Sequence, residues 1–331
     1  MGESEMTLGY PNIGIMGFGK MPADCAQILL NHQVKVNFTL ETEESPFSSL
    51  EGLCSRNSIV FEKTRAEKAA AFLNDLDDPT VILSINNNFL FPANIVRKEN
   101  LRIVNFHNAV LPSYPGHGQS IPRWIVYNGE TQHGVTWHLV NESIDSGNIL
   151  CNKTFAVLDT DTALSVMMRS IRVGIGLFEQ WWERFLDFGF SGTPQADNMQ
   201  RIYKSPMQNR LYRKKDIPNN GQLDPGWEFD QSIRFLRSMD YSRLQVVAPP
   251  RIAFEHEMCS IKKYRVEKRL PGAEESAKKK ENVGQAEQTY RLNYDEGAIT
   301  LYLQKSKEGP SRDEDFALAL GKRPVFPEIS Q

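Results

Sequence analysis

The sequence has little that would direct it to a membrane, out of the cell or onto a nucleic acid. None of its apolar runs reaches the ~18 residues that a membrane span requires. Its formal net charge of −3 offers no basic excess for a phosphate backbone, so nucleic acid is not expected as a partner. The N-terminus, Met1-Gly2-Glu3-Ser4-Glu5, has no basic region ahead of an apolar core and fails the myristoylation pattern. These absences favour a cytoplasmic protein.

Disulfide and metal-ligand patterns are also missing. The chain has four cysteines, and no pair among them has the spacing of a redox or zinc motif: Cys25, Cys54, Cys151 and Cys259. Its six histidines form no ligand pattern such as HExxH. We therefore expect reduced thiols, no disulfide framework and no metal cofactor.

Two catalytic signatures are absent as well. No serine stands in a GxSxG elbow, so the chain offers no enzyme nucleophile of that kind. Gly17-Phe18-Gly19 follows an apolar run, but the third glycine of a dinucleotide fingerprint is missing and Met21 stands near its place. A tight strand-to-helix turn is therefore favoured over a nicotinamide-dependent oxidoreductase.

Short apolar runs alternate with amphipathic stretches in the first part of the chain. Strands are predicted at 12–16, 34–38, 81–85, 103–106 and 134–140, and helices at 22–31, 65–76 and 162–188, with a polar loop between the second strand and the second helix. This alternation predicts an α/β domain with a mostly parallel sheet over residues 1–190, with ligands at the carboxyl ends of its strands. Residues 189–194 break the pattern and mark the start of a linker over 191–215.

The remaining residues, 216–331, have a different sequence pattern. One short helix over 227–239 precedes two strand-rich stretches at 251–266 and 289–303. The charged segment 271–284 between them is expected to be a mobile loop. We therefore expect a small β-rich C-terminal domain.

Three polar side chains carry the most specific chemical signal. Asn105 and His107 are two residues apart on a predicted strand, so their side chains share one face of it. Asp145 follows the next strand, in a loop of turn-forming residues. If the strand ends are neighbours, the carboxylate can orient the imidazole and favour its protonated form, so that amide and imidazole make a two-donor oxyanion site. Without an enzyme nucleophile, this pattern favours direct acyl transfer to an incoming amine; ordinary strand-end polar residues are the alternative.

The motifs around these residues resemble those of the formyltransferases that use 10-formyltetrahydrofolate. The segment 105–107 (Asn-Phe-His), the Leu-Pro-x-Tyr-x-Gly loop at 111–116, Gly-Val-Thr-x-His at 134–138 and Asp-x-Gly at 145–147 occur in the family's order and spacing. The resemblance covers residues 12–190 and, more weakly, the C-terminal domain. It implies a Rossmann-like catalytic domain, an OB-like C-terminal domain and 10-formyltetrahydrofolate as the co-substrate.

The resemblance also assigns roles. Asn105 and His107 would stabilise the oxyanion, and Asp145 would orient His107 and assist proton removal from the amine. Two loops would hold the folate, and their residues are Asn88, Phe89, Leu90 and Phe91 after the third strand and Val140, Asn141 and Glu142 after the fifth. The acceptor side would include His117, Gln119, Ser120 and His138. His117 departs from the family pattern, and a packed strand histidine is the alternative reading of His138.

The acceptor amine is left open by the motifs. The stretch from 121 to 138 looks closer to sugar N-formyltransferases and to formyltransferases of peptide-antibiotic or siderophore assembly. Glu41, Glu43 and Glu44 stand where methionyl-tRNA formyltransferase carries a basic insertion, which disfavours a tRNA acceptor. We therefore predict an N-formyltransferase acting on a primary amine of a small or carrier-linked metabolite. Alternatives are a methionyl-tRNA formyltransferase-like enzyme, a 10-formyltetrahydrofolate hydrolase and a non-catalytic folate- or metabolite-binding protein; a homodimer is one alternative for the assembly.

Overall fold

The computed structural model describes residues 10–43, 50–197, 202–242, 244, 247–254, 257–269 and 288–305. The chain divides into two compact units, Met1–Asp216 and Ile217–Gln331. Across the described residues, no helix has both the length and the apolar character needed to cross a membrane. The segment 271–284, expected to be a mobile loop, lies outside the described residues.

The first unit is built on one seven-stranded sheet. Its strands are β1 (Asn12–Gly17), β2 (Phe38–Thr42), β3 (Val60–Thr64), β4 (Thr80–Ile85), β5 (Leu101–His107), β6 (Gln132–Leu139) and β7 (Ile149–Ala156). They lie in the order β3-β2-β1-β4-β5-β6-β7. The first five strands in this order pair in parallel, and β6 and β7 each pair antiparallel to the strand before them. The prediction of a mostly parallel α/β sheet is confirmed.

Helices cover both faces of this sheet. They are α1 (Lys20–Asn31), α2 (Leu50–Asn57), α3 (Ala66–Asn74), α4 (Ala93–Val96), α5 (Ile121–Tyr127) and α6 (Ala163–Leu186), with 3-10 turns at Gly118–Ser120, Gln195–Asp197 and Pro206–Asn209. The alternation along β1 shows the two layers. Ile13 and Ile15 enter the core cluster that includes α1 and α6, whereas Met16 packs on the opposite face with Phe38 and Ile82. Burial on both faces is what a parallel sheet requires.

Two local predictions in this unit were wrong. The second strand was expected at 34–38 but begins at Phe38, because Val34 and Val36 are buried in the connection that enters the sheet rather than in a ladder. The stretch expected to be a polar loop contains α2 and β3. β3 is an edge strand whose residues are mostly exposed, so its sequence shows no buried-strand pattern.

The segment 191–215, expected to be a linker, belongs to the first unit and packs against it. Thr193 exchanges two backbone hydrogen bonds with Ile149, both 2.8 Å long. The Tyr212 N–H donates to the Pro115 carbonyl at 2.9 Å, and the Tyr212 carbonyl accepts from the His117 N–H at 2.7 Å. These contacts bring the segment onto the loop that follows β5.

The second unit combines α7 (Phe229–Ser238) with a four-stranded antiparallel sheet. Its strands, β8 (Arg251–Phe254), β9 (Glu257–Lys268), β10 (Gln288–Tyr294) and β11 (Gly297–Lys305), lie in the order β10-β11-β9-β8. Ile233, Ile252 and Ile299 are among the buried residues of this unit. The β-rich C-terminal fold is confirmed, and its OB-like character stays a prediction.

Candidate active site

Two adjacent strands place Asn105, His107 and His138 on one face of the sheet. β5 ends at His107, and its pleat sends Asn105 and His107 to the same side. β6 runs antiparallel beside it, with His138 directly opposite Asn105. The Nδ2 atom of Asn105 lies 3.0 Å from Nε2 of His138, so the amide and this imidazole are hydrogen-bonded.

Asp145 comes from the loop between β6 and β7 and reaches the same place. Its backbone φ of 50° is left-handed, a conformation that is uncommon for residues other than glycine. Oδ2 accepts a hydrogen bond from the Gly116 N–H at 2.7 Å and lies 3.5 Å from His107 Nδ1. Oδ1 lies 3.6 Å from His138 Nε2. The structure thus brings Asn105, His107 and Asp145 together, with the carboxylate between two imidazoles.

Hydrogen bonding fixes the tautomer of His107. Its Nε2 atom lies 2.9 Å from the Tyr114 carbonyl oxygen, which can only accept, so Nε2 carries a proton and Nδ1 faces Asp145. Burial lowers the pKa of His107, and this effect outweighs the opposing attraction of the Asp145 charge. The expectation of a protonated imidazole stays a prediction, since burial favours the neutral form of His107 and the Asp145 charge favours the protonated one.

The Asp145 carboxylate is ionised beside this imidazole. Burial by itself would raise the pKa of Asp145, but the charge of His107, the hydrogen bond and charge of His138 and the Gly116 N–H bring that pKa well below its ordinary value. A fixed negative charge next to Nδ1 stabilises an imidazolium once His107 takes up a proton. The pair is therefore suited to accept a proton during a reaction.

Two motif glycines let backbone segments meet at this point. Gly116 has a φ of 114°, and a Cβ there would lie 2.1 Å from the Tyr212 carbonyl oxygen. A Cβ on Gly147 would lie 1.8 Å from the Leu139 carbonyl oxygen. Any side chain at either position would push these segments apart. Gly116 thus lets the loop after β5 approach Tyr212, and Gly147 lets the Asp145 loop approach the end of β6.

The three residues line a cavity of about 620 Å³, which is within the range of small-molecule sites. All seven residues expected to contact folate line the same cavity: Asn88, Phe89, Leu90, Phe91, Val140, Asn141 and Glu142. The rings of Phe89 and Phe91 meet edge to face at 5.1 Å. Glu142 also forms a bidentate ion pair with Arg97, at 2.7 and 2.6 Å. Across the described ranges, no group of three or more His, Cys, Asp or Glu side chains is placed to hold a metal ion.

Three of the four residues expected on the acceptor side line the cavity, namely His117, Gln119 and His138. Ser120 does not; it is buried, and its hydroxyl lies 2.8 Å from His117 Nδ1. Nε2 of His117 has no hydrogen-bond partner among the described residues. Burial, together with the positive charges of Lys214 and Arg123, lowers the pKa of His117 to about 4. Two positive charges, those of Lys214 and Arg123, therefore act on this side of the cavity.

Some cavity residues were missed by the sequence analysis. Leu211, Arg213 and Lys214 line the cavity from the segment that was expected to be a linker. Gln195, from the same segment, donates through Nε2 to the carbonyl oxygen of Asp145 at 2.7 Å. The basic run that includes Arg213 and Lys214 was visible in the sequence, but nothing local indicates that it contacts the loop after β5.

The family model for formyl transferases matches residues 23–177. The GDP-perosamine N-formyltransferase of Brucella melitensis is 27% identical over 236 residues, which cover 69% of this chain and 85% of that protein. The methionyl-tRNA formyltransferase of a Nostoc species is 28% identical over 155 residues, which cover 46% of this chain and 44% of that protein. The stretch that matches the family model contains both strands and the loop of the candidate site.

Solved structures share the same fold. An N-formyltransferase from Helicobacter canadensis, in complex with folinic acid and dTDP-3-aminofucose, superposes with a TM-score of 0.62 at 17% identity, covering 89% of this chain and 99% of that one. At this identity the likeness establishes the fold, while the sequence match and the ordered motifs around Asn105, His107 and Asp145 identify the domain. Residues 23–177 therefore form a formyl transferase domain.

Proposed function

We propose that this protein transfers the formyl group of 10-formyltetrahydrofolate to the primary amine of an amino sugar nucleotide. The observation that carries the proposal is the meeting of Asn105, His107 and Asp145 on one cavity with the two expected folate loops. An amide donor, a neutral imidazole and an ionised carboxylate are the groups that acyl transfer to an amine needs.

The donor half of the cavity suits a folate ring system. Phe89 and Phe91 offer aromatic faces for packing, and Leu90 is 74% exposed beside them. The opposite wall comes from the loop that begins at Val140, and the Arg97–Glu142 ion pair ties that loop to α4. Structural neighbours support the donor, since the Helicobacter canadensis enzyme was solved with folinic acid bound.

The acceptor half suits an anionic ligand. Arg213 and Lys214 line the cavity, and the charge of Lys214 acts on the half-buried His117. A nucleotide sugar carries a diphosphate, for which basic side chains supply both charge and hydrogen bonds. The Brucella relative is a GDP-perosamine N-formyltransferase, and the Helicobacter neighbour was solved with dTDP-3-aminofucose. Charge and comparisons together favour a sugar nucleotide over an uncharged or carrier-linked amine.

The proposed reaction gives a role to each of the three side chains. As the amine nitrogen bonds to the formyl carbon, the carbonyl oxygen becomes an oxyanion, and the Asn105 NH2 donates to it. Nδ1 of His107 takes the proton that leaves the amine, and Asp145 stabilises the resulting imidazolium at 3.5 Å. The bond from the carbon to the folate N10 then breaks, and N10 receives the proton. A donor of this kind is worth roughly 3–4 kcal/mol in an acyl-transfer transition state.

A direct assay tests the proposal. The purified protein is incubated with 10-formyltetrahydrofolate and a panel of GDP- and dTDP-linked amino sugars, and the formamide product is detected by mass spectrometry. The panel also contains initiator methionyl-tRNA, hydroxyornithine, a carrier-bound amino acid and a no-amine control. Formylation of an amino sugar nucleotide supports the proposal. Formate release without an amine would indicate a hydrolase. Formylation of the methionyl-tRNA would indicate a methionyl-tRNA formyltransferase, and folate binding without turnover would indicate a binding protein.

We also assign the protein to the cytoplasm, where folate donors and nucleotide sugars are available. Its four cysteines are buried and form no disulfide among the described residues, which is compatible with a reducing compartment. Fractionation of the native host, with an antibody to the chain, tests this assignment. Recovery in a membrane or secreted fraction would contradict it.

A further inference from the structure

A row of polar side chains crosses three neighbouring strands below the folate loop. Ser84 of β4 lies opposite Asn105 of β5, and Asn105 lies opposite His138 of β6. The Ser84 Oγ atom is 2.8 Å from Asn105 Oδ1 and 3.3 Å from Asn87 Nδ2. With the 3.0 Å contact between Asn105 and His138, these groups form one continuous chain of hydrogen bonds.

A backbone carbonyl fixes the direction of this chain at one end. His138 Nδ1 lies 2.8 Å from the Leu139 carbonyl oxygen, so Nδ1 must be the donor. Nδ2 of Asn105 is the amide atom that faces His138 Nε2, at 3.0 Å. Asn105 therefore donates to His138 through Nδ2, and its amide oxygen faces Ser84, whose hydroxyl donates to it.

A backbone N–H fixes the same direction from the other end. The Phe89 N–H donates to Asn87 Oδ1 at 3.0 Å, which turns the Asn87 NH2 toward the Ser84 oxygen. Every bond in the chain then runs one way. If the Asn105 amide were flipped, its NH2 would face Ser84, and the Ser84 hydroxyl would lose its acceptor. The row thus specifies one of the two amide orientations.

The orientation has a catalytic consequence. One of the two Asn105 Nδ2 hydrogens goes to His138, and the other is available to the cavity that Asn105 lines. We propose that Ser84 and Asn87 are positioning residues, which hold the Asn105 amide with its NH2 directed at the reacting carbonyl and link that orientation to the folate loop through Phe89. This inference rests on the proposed function, because it takes Asn105 as the oxyanion donor. Ser84 is 2% exposed and acts through Asn105.

Kinetics separate positioning from packing. Ser84→Ala and Asn87→Ala should each lower kcat by roughly 3- to 10-fold, the equivalent of one hydrogen bond, while the KM values for donor and acceptor stay within about twofold. In an Asn105→Ala background, Ser84→Ala should cause no further loss, because the group that it orients is gone. The matched control is Ser170→Ala, which removes an equally buried hydroxyl that bonds only the Val166 carbonyl in α6.

A loss of kcat that persists in the Asn105→Ala background, or an unchanged kcat in both single variants, would overturn the inference. If Ser84→Ala does not fold, Asn87→Ala tests the same inference. Asn87 lies at the cavity surface, so its replacement leaves the buried core intact. A second readout needs no acceptor. In the side-chain amide NMR spectrum of the free enzyme, the Asn105 signal, identified by its loss in Asn105→Ala, should shift in Ser84→Ala and not in Ser170→Ala.

These two readouts also separate the inference from the proposed function. If the wild-type enzyme formylates no amine, the proposed function fails, and the NMR shift still decides whether Ser84 orients Asn105. An Asn105 signal that does not move in Ser84→Ala would overturn the positioning role whatever the acceptor.

Discussion

The side-chain nitrogen of Gln195 lies 2.7 Å from the carbonyl oxygen of Asp145 and 2.8 Å from that of Gly147. One amide group therefore holds both ends of the tight turn that presents the Asp145 carboxylate to the two imidazoles. Because Asp145 has a left-handed backbone, its turn requires such support from outside. The support comes from a residue 50 positions further along the chain.

We predict that Gln195→Ala lowers kcat by about tenfold and leaves folate binding intact, because the turn loses two hydrogen bonds and Asp145 loses its fixed position. The measurement is steady-state formyl transfer combined with calorimetric titration of folinic acid. Asn148→Ala is the matched control, since the Asn148 amide donates to the Ser191 carbonyl at 3.0 Å and contacts neither carbonyl of the turn. Equal losses of kcat in the two variants would show that Gln195 has no particular role.

We predict that Asp145→Asn lowers kcat by about 10² or more, because the neutral amide cannot stabilise the His107 imidazolium. His107→Ala and Asn105→Ala should also lower kcat strongly, with folinic acid affinity unchanged in all three variants. Asp161→Asn serves as the control. Asp161 is a buried carboxylate that pairs with Arg169 near the start of α6, so its loss should lower the melting temperature and leave kcat near the wild-type value. Near wild-type turnover in Asp145→Asn would refute the proton-transfer role.

We predict that the double variant Arg213→Ala/Lys214→Ala raises the KM of a sugar nucleotide acceptor about tenfold, with a smaller effect on the KM of the folate donor, since these cations line the cavity beside His117. The wild-type KM should also rise with ionic strength more steeply than that of the variant. Lys215→Ala is the control, because this neighbouring exposed lysine does not line the cavity. An acceptor KM that responds equally to both changes would contradict an anion subsite.

We predict that His133 makes the protein less stable in acid. Burial, together with the charge of His107, lowers the pKa of His133 to about 3, whereas an unfolded histidine titrates near pH 6.5. Above about pH 6.5 both states are neutral at this residue, and its contribution to stability is fully present. As the pH falls from about 6.5 toward 3, the unfolded state binds a proton that the folded state excludes, so the free energy of unfolding decreases by up to about 1.4 kcal/mol per pH unit.

Urea titrations at a series of pH values measure this contribution. His133→Gln should lower stability at neutral pH, because His133 lies 3.1 Å from Asn108 Oδ1 and 3.1 Å from the Tyr203 hydroxyl. The slope of its unfolding free energy between about pH 6 and pH 4 should be flatter than that of the wild type by about 1.4 kcal/mol per pH unit. Parallel slopes in the two proteins would exclude His133 as a source of acid sensitivity.

Local sequence patterns were sufficient to predict the parallel sheet and the order of the motifs along it. β1 and β4 are short apolar runs buried on both faces, which is the pattern that predicts a parallel sheet. They failed for β3, since an edge strand with exposed residues has no periodic apolar face. They failed also for the segment 191–215, since its docking partners, the loop after β5 and the start of β7, are distant from it in sequence.

The sequence by itself determined which groups are available for catalysis. Asn105 and His107 share a strand face because the side-chain period of a strand is two, and the motif glycines are required where backbones approach closely. Only the tertiary structure decided the state of these groups. Burial lowers the pKa of His107 against the opposing attraction of the Asp145 charge, and the Asn105 amide has one orientation because hydrogen bonds from two other strands and their loops fix its direction. Burial and hydrogen-bond direction both depend on residues that are distant in sequence, so no local pattern contains them.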